Sequence, residues 1–147
     1  MSAITSIARP SSQVRAGKKY FTLAEAKRAL ALVRRIAADI QETQAQRLKL
    51  HAEISGGRAQ LSSVQQDRLE ARFEQATQRL EELVEEISRV GVELKDPSRA
   101  LLDFPCVHEG REISLCWKAD EPTILHWHEL DGGFAGRKPI ALLESER

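Results

Sequence analysis

Residues 69–91 read LEARFEQATQRLEELVEEISRVG, and this stretch predicts the helix on which the fold is built. Its apolar residues recur at alternating steps of four and three, the seven-residue repeat of a helix that buries one stripe against another helix. The members of this repeat are Leu69, Phe73, Ala76, Leu80, Leu83, Ile87 and Val90. Gly91 is a typical stop, because glycine tolerates the left-handed backbone of a C-terminal cap. Ser63 and Gln66 have the spacing of a capping box, so we expect this helix over 62–90.

The preceding residues predict a second long helix. Thr22 and Glu25 have the spacing of a capping box, which places its start at Thr22. Apolar residues then recur at steps of three and four, and the register continues to Ile54, just before two glycines. Because the link between the two helices is short, we expect an antiparallel hairpin. Helix one (22–54) carries six basic and four acidic residues and helix two carries seven acidic and four basic ones, which favours this pairing.

The hairpin is predicted to have a buried base and an exposed tip. The first half of helix one is apolar almost all round, so it must be covered on several sides. This surplus of apolar surface over 23–40 predicts a homodimer or a larger oligomer. At the other end the seam carries Gln44, Arg47 and His51, so we expect the tip to project into water. Apolar side chains there would offer a surface to a protein partner, and the candidates are Leu48, Leu50 and Leu61.

After the second helix the apolar period becomes two, which predicts β-strands. A two-residue turn at Glu109-Gly110 joins two strands and sets their register. On the apolar face the predicted pairs are Cys106 with Ile113, Phe104 with Leu115, and Leu102 with Trp117. On the other face they are Val107 with Glu112, and Asp103 with Cys116. A turn at 119–122 and a third strand over 123–128 complete a meander.

These patterns predict an α+β fold, in which a small three-stranded antiparallel β-meander packs at the base of a long, coiled-coil-like helical hairpin. Residues 1–19 carry four basic residues and no acid, and we expect 1–18 to be a disordered basic tail. Residues 19–147 then form a single domain, with the hairpin over 22–90 and the meander and a glycine-rich loop over 91–140.

The composition excludes several classes of protein. Lys and Arg number 22, as do Asp and Glu, so no net charge draws the chain to nucleic acid or lipid. No apolar run approaches the ~18 residues of a membrane helix, and the N-terminal residues lack the apolar core of a signal peptide. We therefore expect a cytoplasmic protein that binds neither membranes nor nucleic acid, with Cys106 and Cys116 as reduced thiols.

The strongest candidate for chemistry is the stretch 126–131, which reads HWHELD. Two histidines two residues apart on a strand face the same side, and imidazole with carboxylate is a ligand set for zinc and related divalent metals. The predicted metal ligands are His126, His128, Glu129 and Asp131, with His128 the best suited. The predicted short turn places both histidines on the face of Leu115, away from Cys116, so Cys116 is a weaker candidate. The alternative is that these side chains only pack and hydrogen-bond at the sheet edge.

The glycine-rich loop that follows, residues 131–139, carries two cations and is comparable to a phosphate cradle. Its glycines are one residue too close for the P-loop pattern, and a proline replaces the Ser or Thr of that pattern. We therefore expect a structural loop in which Arg137 pairs with Glu129 or Asp131. In the alternative of ligand binding, Arg137 and Lys138 are the candidate anion contacts.

Several segments of the sequence are distinctive, namely Lys19–Thr22, Gly91–Pro97, Asp103–Pro105, Leu115–Trp117 and Trp127–Arg137. In these segments the chain resembles a small bacterial family of uncharacterised proteins, catalogued as a domain of unknown function (2203). The resemblance covers residues 19–140 and implies a common fold. It brings no reaction with it, so it assigns no catalytic role to any residue.

Two functions follow from these patterns. The first is a non-enzymatic oligomerisation or protein-interaction module, in which the hairpin offers its surface to a second copy or to another protein. The second is a metal- or small-ligand-binding protein, or a metalloenzyme, with its site in residues 103–138 and a divalent metal such as zinc. We expect the first, because no motif in the sequence assigns a catalytic residue. Convergence of the side chains between His126 and Asp131 would favour the second.

Overall fold

The computed structural model describes residues 13–57 and 60–145, which form two long helices and a five-stranded sheet. In chain order the elements are α1 (Leu23–Gly56), α2 (Ser63–Val90), β1 (Glu93–Asp96), β2 (Leu101–His108), β3 (Arg111–Trp117), β4 (His126–Glu129), a 3₁₀ turn (Phe134–Gly136), β5 (Lys138–Pro139) and α3 (Ile140–Ser145). The predicted α+β class is confirmed, but the sheet has five strands rather than three.

Helix α1 begins where its capping box predicts. The Thr22 hydroxyl accepts a hydrogen bond from the Glu25 N–H at 3.1 Å, and the Glu25 carboxylate accepts one from the Thr22 N–H at 2.9 Å. The helix ends at Gly56, slightly beyond the predicted end, and the Gly57 N–H bonds the Glu53 carbonyl. The buried stripe of its first half contains Ala26, Leu30, Val33, Ile36, Ala37 and Ile40.

Helix α2 also begins with a capping box, but the capping residue is Ser62 rather than Ser63. The Gln65 N–H donates to the Ser62 hydroxyl at 3.1 Å, and the Gln65 side chain accepts from the Ser62 N–H at 2.9 Å. Both Ser62–Gln65 and Ser63–Gln66 have the required spacing, so the pattern alone does not distinguish them. At the other end Gly91 has a φ of 99° and caps the helix, as predicted.

The two helices run antiparallel. Arg47 donates to the Thr77 hydroxyl at 2.9 Å, and His51, one turn later, meets Phe73, one turn earlier, with ring centroids 6.0 Å apart. On α2 the fully buried residues lie next to the sheet, whereas the seam residues nearer the tip are half-buried. Among the described residues no helix is both long enough and apolar enough to cross a membrane.

The tip is more closely packed than the sequence predicts. Leu50 is buried together with Thr43 and Ile54, so the expectation that Leu50 is available to a partner is wrong. The reason is that these residues continue the three-to-four spacing of the buried stripe of α1. Leu48 is 51% exposed, and Leu61 is half-buried.

The base of α1 is covered mainly by other elements of the same chain. Its buried residues form one cluster with Leu83 and Ile87 of α2 and with Phe104 and Leu115 of the sheet. Most of the apolar surface on which the prediction of an oligomer depends is therefore covered by α2 and the sheet. Leu32, at 54% exposure, lies outside this cover.

The sheet has the order β1-β2-β3-β4-β5, with antiparallel neighbours throughout. All five predicted pairs between β2 and β3 are confirmed, because the Glu109-Gly110 turn sets that register. Both turn residues have positive φ, 51° and 77°, as a two-residue hairpin turn requires. The sequence does not predict β1 and β5, because these edge strands are four and two residues long and carry no alternating apolar run.

Strand β4 corrects the sequence-based prediction. It begins at His126 rather than at residue 123, and Trp127 lies opposite Leu115 on the face that packs on the helices. Trp127 is 2% exposed, and burial of an indole stabilises the fold more than burial of an imidazole. Because successive side chains alternate, His126 and His128 lie on the opposite face, which is also the face of Cys116.

We call this second sheet face, turned away from the helices, the outer face. Residues of the N-terminal segment cover part of it, where the Lys18 ammonium and the Tyr20 hydroxyl donate to the Glu112 carboxylate at 2.5 and 2.8 Å. Glu112 is thereby buried and paired. Of the predicted disordered tail, residues 1–12 lie outside the described residues, whereas Lys18 is held on the sheet.

Candidate metal centre

Three side chains that suit metal coordination meet on the outer face, namely Asp103 of β2, Cys116 of β3 and His128 of β4. We call them the Asp–Cys–His cluster. Their donor atoms, a carboxylate oxygen, a thiol sulfur and an imidazole nitrogen, all lie within 4.8 Å of one another. Asp103 and Cys116 are direct partners in the sheet, and His128 lies opposite Ser114, two residues before Cys116. The hydrogen-bonded strands therefore set the spacing of the cluster.

The imidazole of His128 is held at both nitrogens. Nδ1 lies 2.7 Å from the Glu129 carbonyl oxygen, and Nε2 lies 3.0 Å from Asp103 Oδ2. Because a carbonyl oxygen only accepts, Nδ1 carries a proton, and Nε2 is the nitrogen turned toward the rest of the cluster. A hydrogen bond of this kind from the second ring nitrogen is typical of metal-binding histidines, because it orients the ring.

The protonation of His128 reflects this environment. Burial by itself lowers the pKa of His128, but hydrogen bonds to Asp103, Cys116 and the Glu129 carbonyl, and the charge of Asp103, outweigh burial and raise the pKa from 6.5 to about 10. Without a metal, His128 is therefore an imidazolium at neutral pH. A proton then lies between Nε2 and Asp103 Oδ2, where a bound cation would also lie.

A cavity of about 210 Å³ adjoins the cluster, and all three cluster residues line it. Asp103 is 2% exposed, and its Oδ1 atom is buried without a hydrogen-bond partner among the described residues. An unpaired buried carboxylate oxygen costs free energy, so this position suits a cation or another donor. The other residues that line the cavity are Glu93, Lys95, Leu101, Ser114, Leu130, Gly133 and Phe134.

The other predicted metal ligands lie elsewhere. His126 Nδ1 is 3.2 Å from Glu121 Oε2. Glu129 accepts from Arg111 at 2.7 and 3.2 Å, and these hydrogen bonds lower the pKa of the Glu129 carboxyl. Asp131 is exposed. Of the four predicted ligands, the structure therefore brings only His128 into the cluster.

Cys116 stands beside His128, contrary to the register predicted from the sequence. That register assumed a turn of four residues, whereas the connection between β3 and β4 spans residues 118–125. The Trp117 indole N–H donates to the Glu121 carbonyl at 2.9 Å and stabilises this longer connection. The longer connection brings Cys116 and the histidines to the same face, so Cys116 is a stronger candidate than the sequence indicates.

Asp103 is the cluster residue that sequence reasoning missed. It lies inside the fully buried run Leu101–Cys106 of β2. A carboxylate within a buried strand is rarely tolerated without a partner or a metal. The sequence already predicted Asp103 opposite Cys116. That pairing of a carboxylate with a thiol could have identified Asp103 as a candidate metal ligand.

The two candidate anion contacts are both engaged with carboxylates. Arg137 Nη2 donates to both oxygens of Glu121, at 2.7 and 2.5 Å, so the predicted pairing with Glu129 or Asp131 is wrong. Lys138 Nζ lies 3.8 Å from Glu129 Oε2 and 4.8 Å from the centre of the Trp127 ring. Anion binding by Arg137 and Lys138 stays a prediction.

The cluster suits metal coordination better than nucleophilic catalysis. A thiol nucleophile needs an imidazole nitrogen that can take its proton, with the other nitrogen held by an orienting group. In the cluster Nε2 bonds Asp103, Nδ1 bonds the Glu129 carbonyl and the ring also bonds the Cys116 thiol, so the imidazolium has no free nitrogen to take a proton from Cys116. One oxygen, one nitrogen and one sulfur donor around a common point are instead a donor set typical of zinc.

Comparison with known proteins identifies a family without an assigned activity. No curated protein and no solved structure matches the chain. One protein family, described as an uncharacterized conserved protein, DUF2203, matches residues 19–140, a range that contains both long helices, all five strands and the Asp–Cys–His cluster. The chain therefore belongs to the DUF2203 family of uncharacterized conserved proteins.

Proposed function

We propose that this protein binds a divalent transition-metal ion, with zinc as the best fit, through Asp103, Cys116 and His128. The observation that carries the proposal is the convergence of three buried donor atoms within 4.8 Å of one another on three adjacent strands. Buried polar and charged groups are costly unless they are paired or bind a metal. The unpartnered Oδ1 atom of Asp103 adds support, because a bound ion would satisfy it.

The distances suit an ion of the size of zinc. Bonds of about 2.0–2.3 Å place the donor atoms of a tetrahedral zinc site about 3.3–3.8 Å apart. The donor atoms of the cluster lie within 4.8 Å of one another, with Nε2 and Oδ2 at 3.0 Å. Small side-chain rotations would therefore bring all three within bonding distance of one ion.

The donor types favour a borderline metal. Magnesium and calcium favour oxygen donors, so the Cys116 sulfur disfavours them, whereas copper(I) favours soft sulfur donors, so the Asp103 carboxylate disfavours it. Zinc accepts carboxylate, imidazole and thiolate together. Cobalt(II), another borderline ion, is a suitable spectroscopic substitute.

The first experiment measures the zinc content of untagged protein after loading with zinc and removal of unbound metal. Cys116→Ser removes the sulfur donor with little change in volume and leaves Asp103 and His128 paired. Cys106→Ser is the matched control, because Cys106 is also buried on the same strand pair but faces the helices. We expect one zinc per chain in the wild type and in the control, and loss of zinc from Cys116→Ser.

The two histidines of β4 supply a second matched pair. His128→Ala should abolish zinc binding, whereas His126→Ala, which alters a histidine beside Glu121, should retain it. Equal loss from both variants would indicate the ligand set predicted from the sequence instead. At a hundredfold excess over its dissociation constant, zinc should stabilise the wild type by about 2.7 kcal/mol, and a chelator should reverse the gain in melting temperature. A wild type without zinc, whose melting temperature ignores the chelator, would show that the cluster is a structural ion pair.

A second candidate function is non-enzymatic association through the tip of the hairpin. The main core includes α1 only up to Ile40, and the tip leaves Leu48 and Val64 exposed at 51% and 58%. Exposed apolar residues on a projecting element favour association with another protein, here a second copy of the chain.

Sedimentation equilibrium at micromolar concentration tests this association. We expect a species heavier than the 16.5 kDa chain, and dissociation in the double variant Leu48→Lys, Val64→Lys. Ala31→Lys, at an exposed position on the base half of α1, is a control for the added charge. A single 16.5 kDa species for the wild type contradicts association.

A further inference from the structure

We propose that the metal of the Asp–Cys–His cluster keeps one exchangeable coordination position, and that this position takes a small molecule with one carboxylate group on a short apolar body. This inference rests on the metal binding proposed above and names the ligand class of the same site. Its basis is the number of donors, the walls of the adjoining cavity and the charges at its rim.

The number of donors leaves a position open. Among the described residues no fourth His, Cys, Asp or Glu joins the cluster. Zinc sites that serve a structural role are closed by four protein ligands, whereas those with three protein ligands hold water or a substrate at the fourth position. Since all three cluster residues line the cavity, the cavity is the space from which a fourth ligand would reach the ion.

The size and walls of the cavity favour a short apolar body. Its volume of about 210 Å³ is smaller than the roughly 300–1,000 Å³ of cavities that hold drug-sized ligands, which favours a ligand with a few carbons beside its coordinating group. Leu101, Leu130 and Phe134 supply apolar walls. Phe134 is half-buried and lines the cavity, and the guanidinium groups of Arg99 and Arg137 lie 4.7 and 4.8 Å from the centre of its ring.

A cation at the rim, Lys95, can pair with a single negative charge on the ligand. A divalent ion with one carboxylate, one thiolate and one neutral imidazole has no net charge. The charged side chains at the rim of the cavity therefore influence which charge on the ligand is favoured. Lys95 and Glu93 both line the cavity, and Lys95 Nζ lies 3.3 Å from Glu93 Oε1. Glu93 also lies 3.4 Å from Lys18, which itself bonds Glu112. The Lys95 side chain is 48% exposed and can turn from this shared carboxylate toward an anionic ligand.

Absorption spectra of the cobalt(II)-loaded protein test the inference. The thiolate-to-cobalt charge-transfer band reports binding through Cys116, and the visible bands report the coordination geometry. Butyrate is the probe. Formate carries the carboxylate without the apolar body, and butan-1-ol carries the apolar body without the carboxylate. We expect butyrate to change the visible bands saturably and to bind at least tenfold more tightly than either control, which a gain of about 1.4 kcal/mol would supply.

Two variants separate the contribution of the apolar wall from that of the charge at the rim. Phe134→Ala should remove most of the preference for butyrate over formate, whereas Lys95→Gln should weaken both carboxylates several-fold. Neither variant should change the charge-transfer band, because neither residue belongs to the cluster. Lys49→Gln on α1, far from the cavity, is the control and should change nothing.

The outcomes distinguish the two proposals. A charge-transfer band with visible bands that no probe alters overturns the exchangeable position and leaves metal binding intact. Equal affinity for formate and butyrate overturns the apolar part of the ligand class. Absence of the charge-transfer band overturns metal binding through Cys116, and with it both the three-residue site proposed above and this inference.

Discussion

His128 is the residue at which a proton and a metal ion compete for the same nitrogen. Its Nδ1 is committed to the Glu129 carbonyl, so Nε2 alone faces Asp103 and Cys116. In the metal-free protein a proton on Nε2 bonds the Asp103 carboxylate. A metal ion bound by the cluster would displace that proton, because a metal-binding histidine must be deprotonated at the coordinating nitrogen.

The metal-free protein should lose the stabilisation from His128 as the pH rises. The folded-state pKa of His128 is about 10 and its ordinary value is 6.5. A raised pKa stabilises the folded state fully below the unfolded value and progressively less as the pH rises to the folded value. Urea unfolding with chelator should therefore show that the difference in unfolding free energy between wild type and His128→Gln shrinks from about pH 6 to about pH 10.

A control isolates the groups responsible for this dependence. Asp103 on β2 and Cys116 on β3 face His128, and Glu93 and Lys95 on β1 lie at the rim of the same cavity. In an Asp103→Asn background the same comparison should depend much less on pH, because the carboxylate that holds the proton is gone. A difference that stays constant from about pH 6 to about pH 10 in the wild-type background would contradict the prediction.

At the scale of elements, the connection formed by residues 118–125 determines which side chains of β4 lie on the outer face of the sheet. Glu121 organises this connection, since its carbonyl accepts from Trp117, and its carboxylate accepts from the Lys118 N–H and from Arg137. The number of residues in this loop determines on which face of the sheet each β4 side chain lies. The loop therefore positions His128 although it contributes no residue to the cluster.

The long helices should differ in stability between base and tip. Leu83 is 1% exposed at the base, so Leu83→Ala should cost about 2–5 kcal/mol. Leu48 is 51% exposed, so Leu48→Ala should change the unfolding free energy by no more than about 0.5 kcal/mol. Leu50→Ala should fall between them, because Leu50 is buried at the less densely covered tip. Comparable losses for Leu83→Ala and Leu48→Ala in urea melts would show that the distinction between base and tip is wrong.

At the scale of the whole molecule, the two faces of the sheet have different roles. One face packs on the base of the hairpin through Phe104, Leu115 and Trp117. The outer face is partly covered by the N-terminal segment at Glu112, and the loop that contains Phe134 borders the cavity beside the cluster. The hydrophobic core thus lies on one side of the sheet, and the candidate metal centre lies on the other.

The features that depend on residues close together in the chain could be predicted before the fold was known. The Thr22–Glu25 capping box, the seven-residue repeat of α2 and the Glu109-Gly110 turn are local patterns, and they predicted both helices and the β2–β3 register. Short edge strands escaped prediction, because four or two residues hold too little pattern to be recognised.

The composition of the candidate metal centre depends on how strands distant in the chain pair with one another. His128 was predicted, but its neighbours Asp103 and Cys116 depend on the register between β3 and β4. A shift of one residue exchanges the two faces of a strand, so the length of the loop before β4 had to be known. That length is set by contacts of Glu121 with Trp117 and Arg137 and by burial of Trp127, and these depend on segments brought together only by folding.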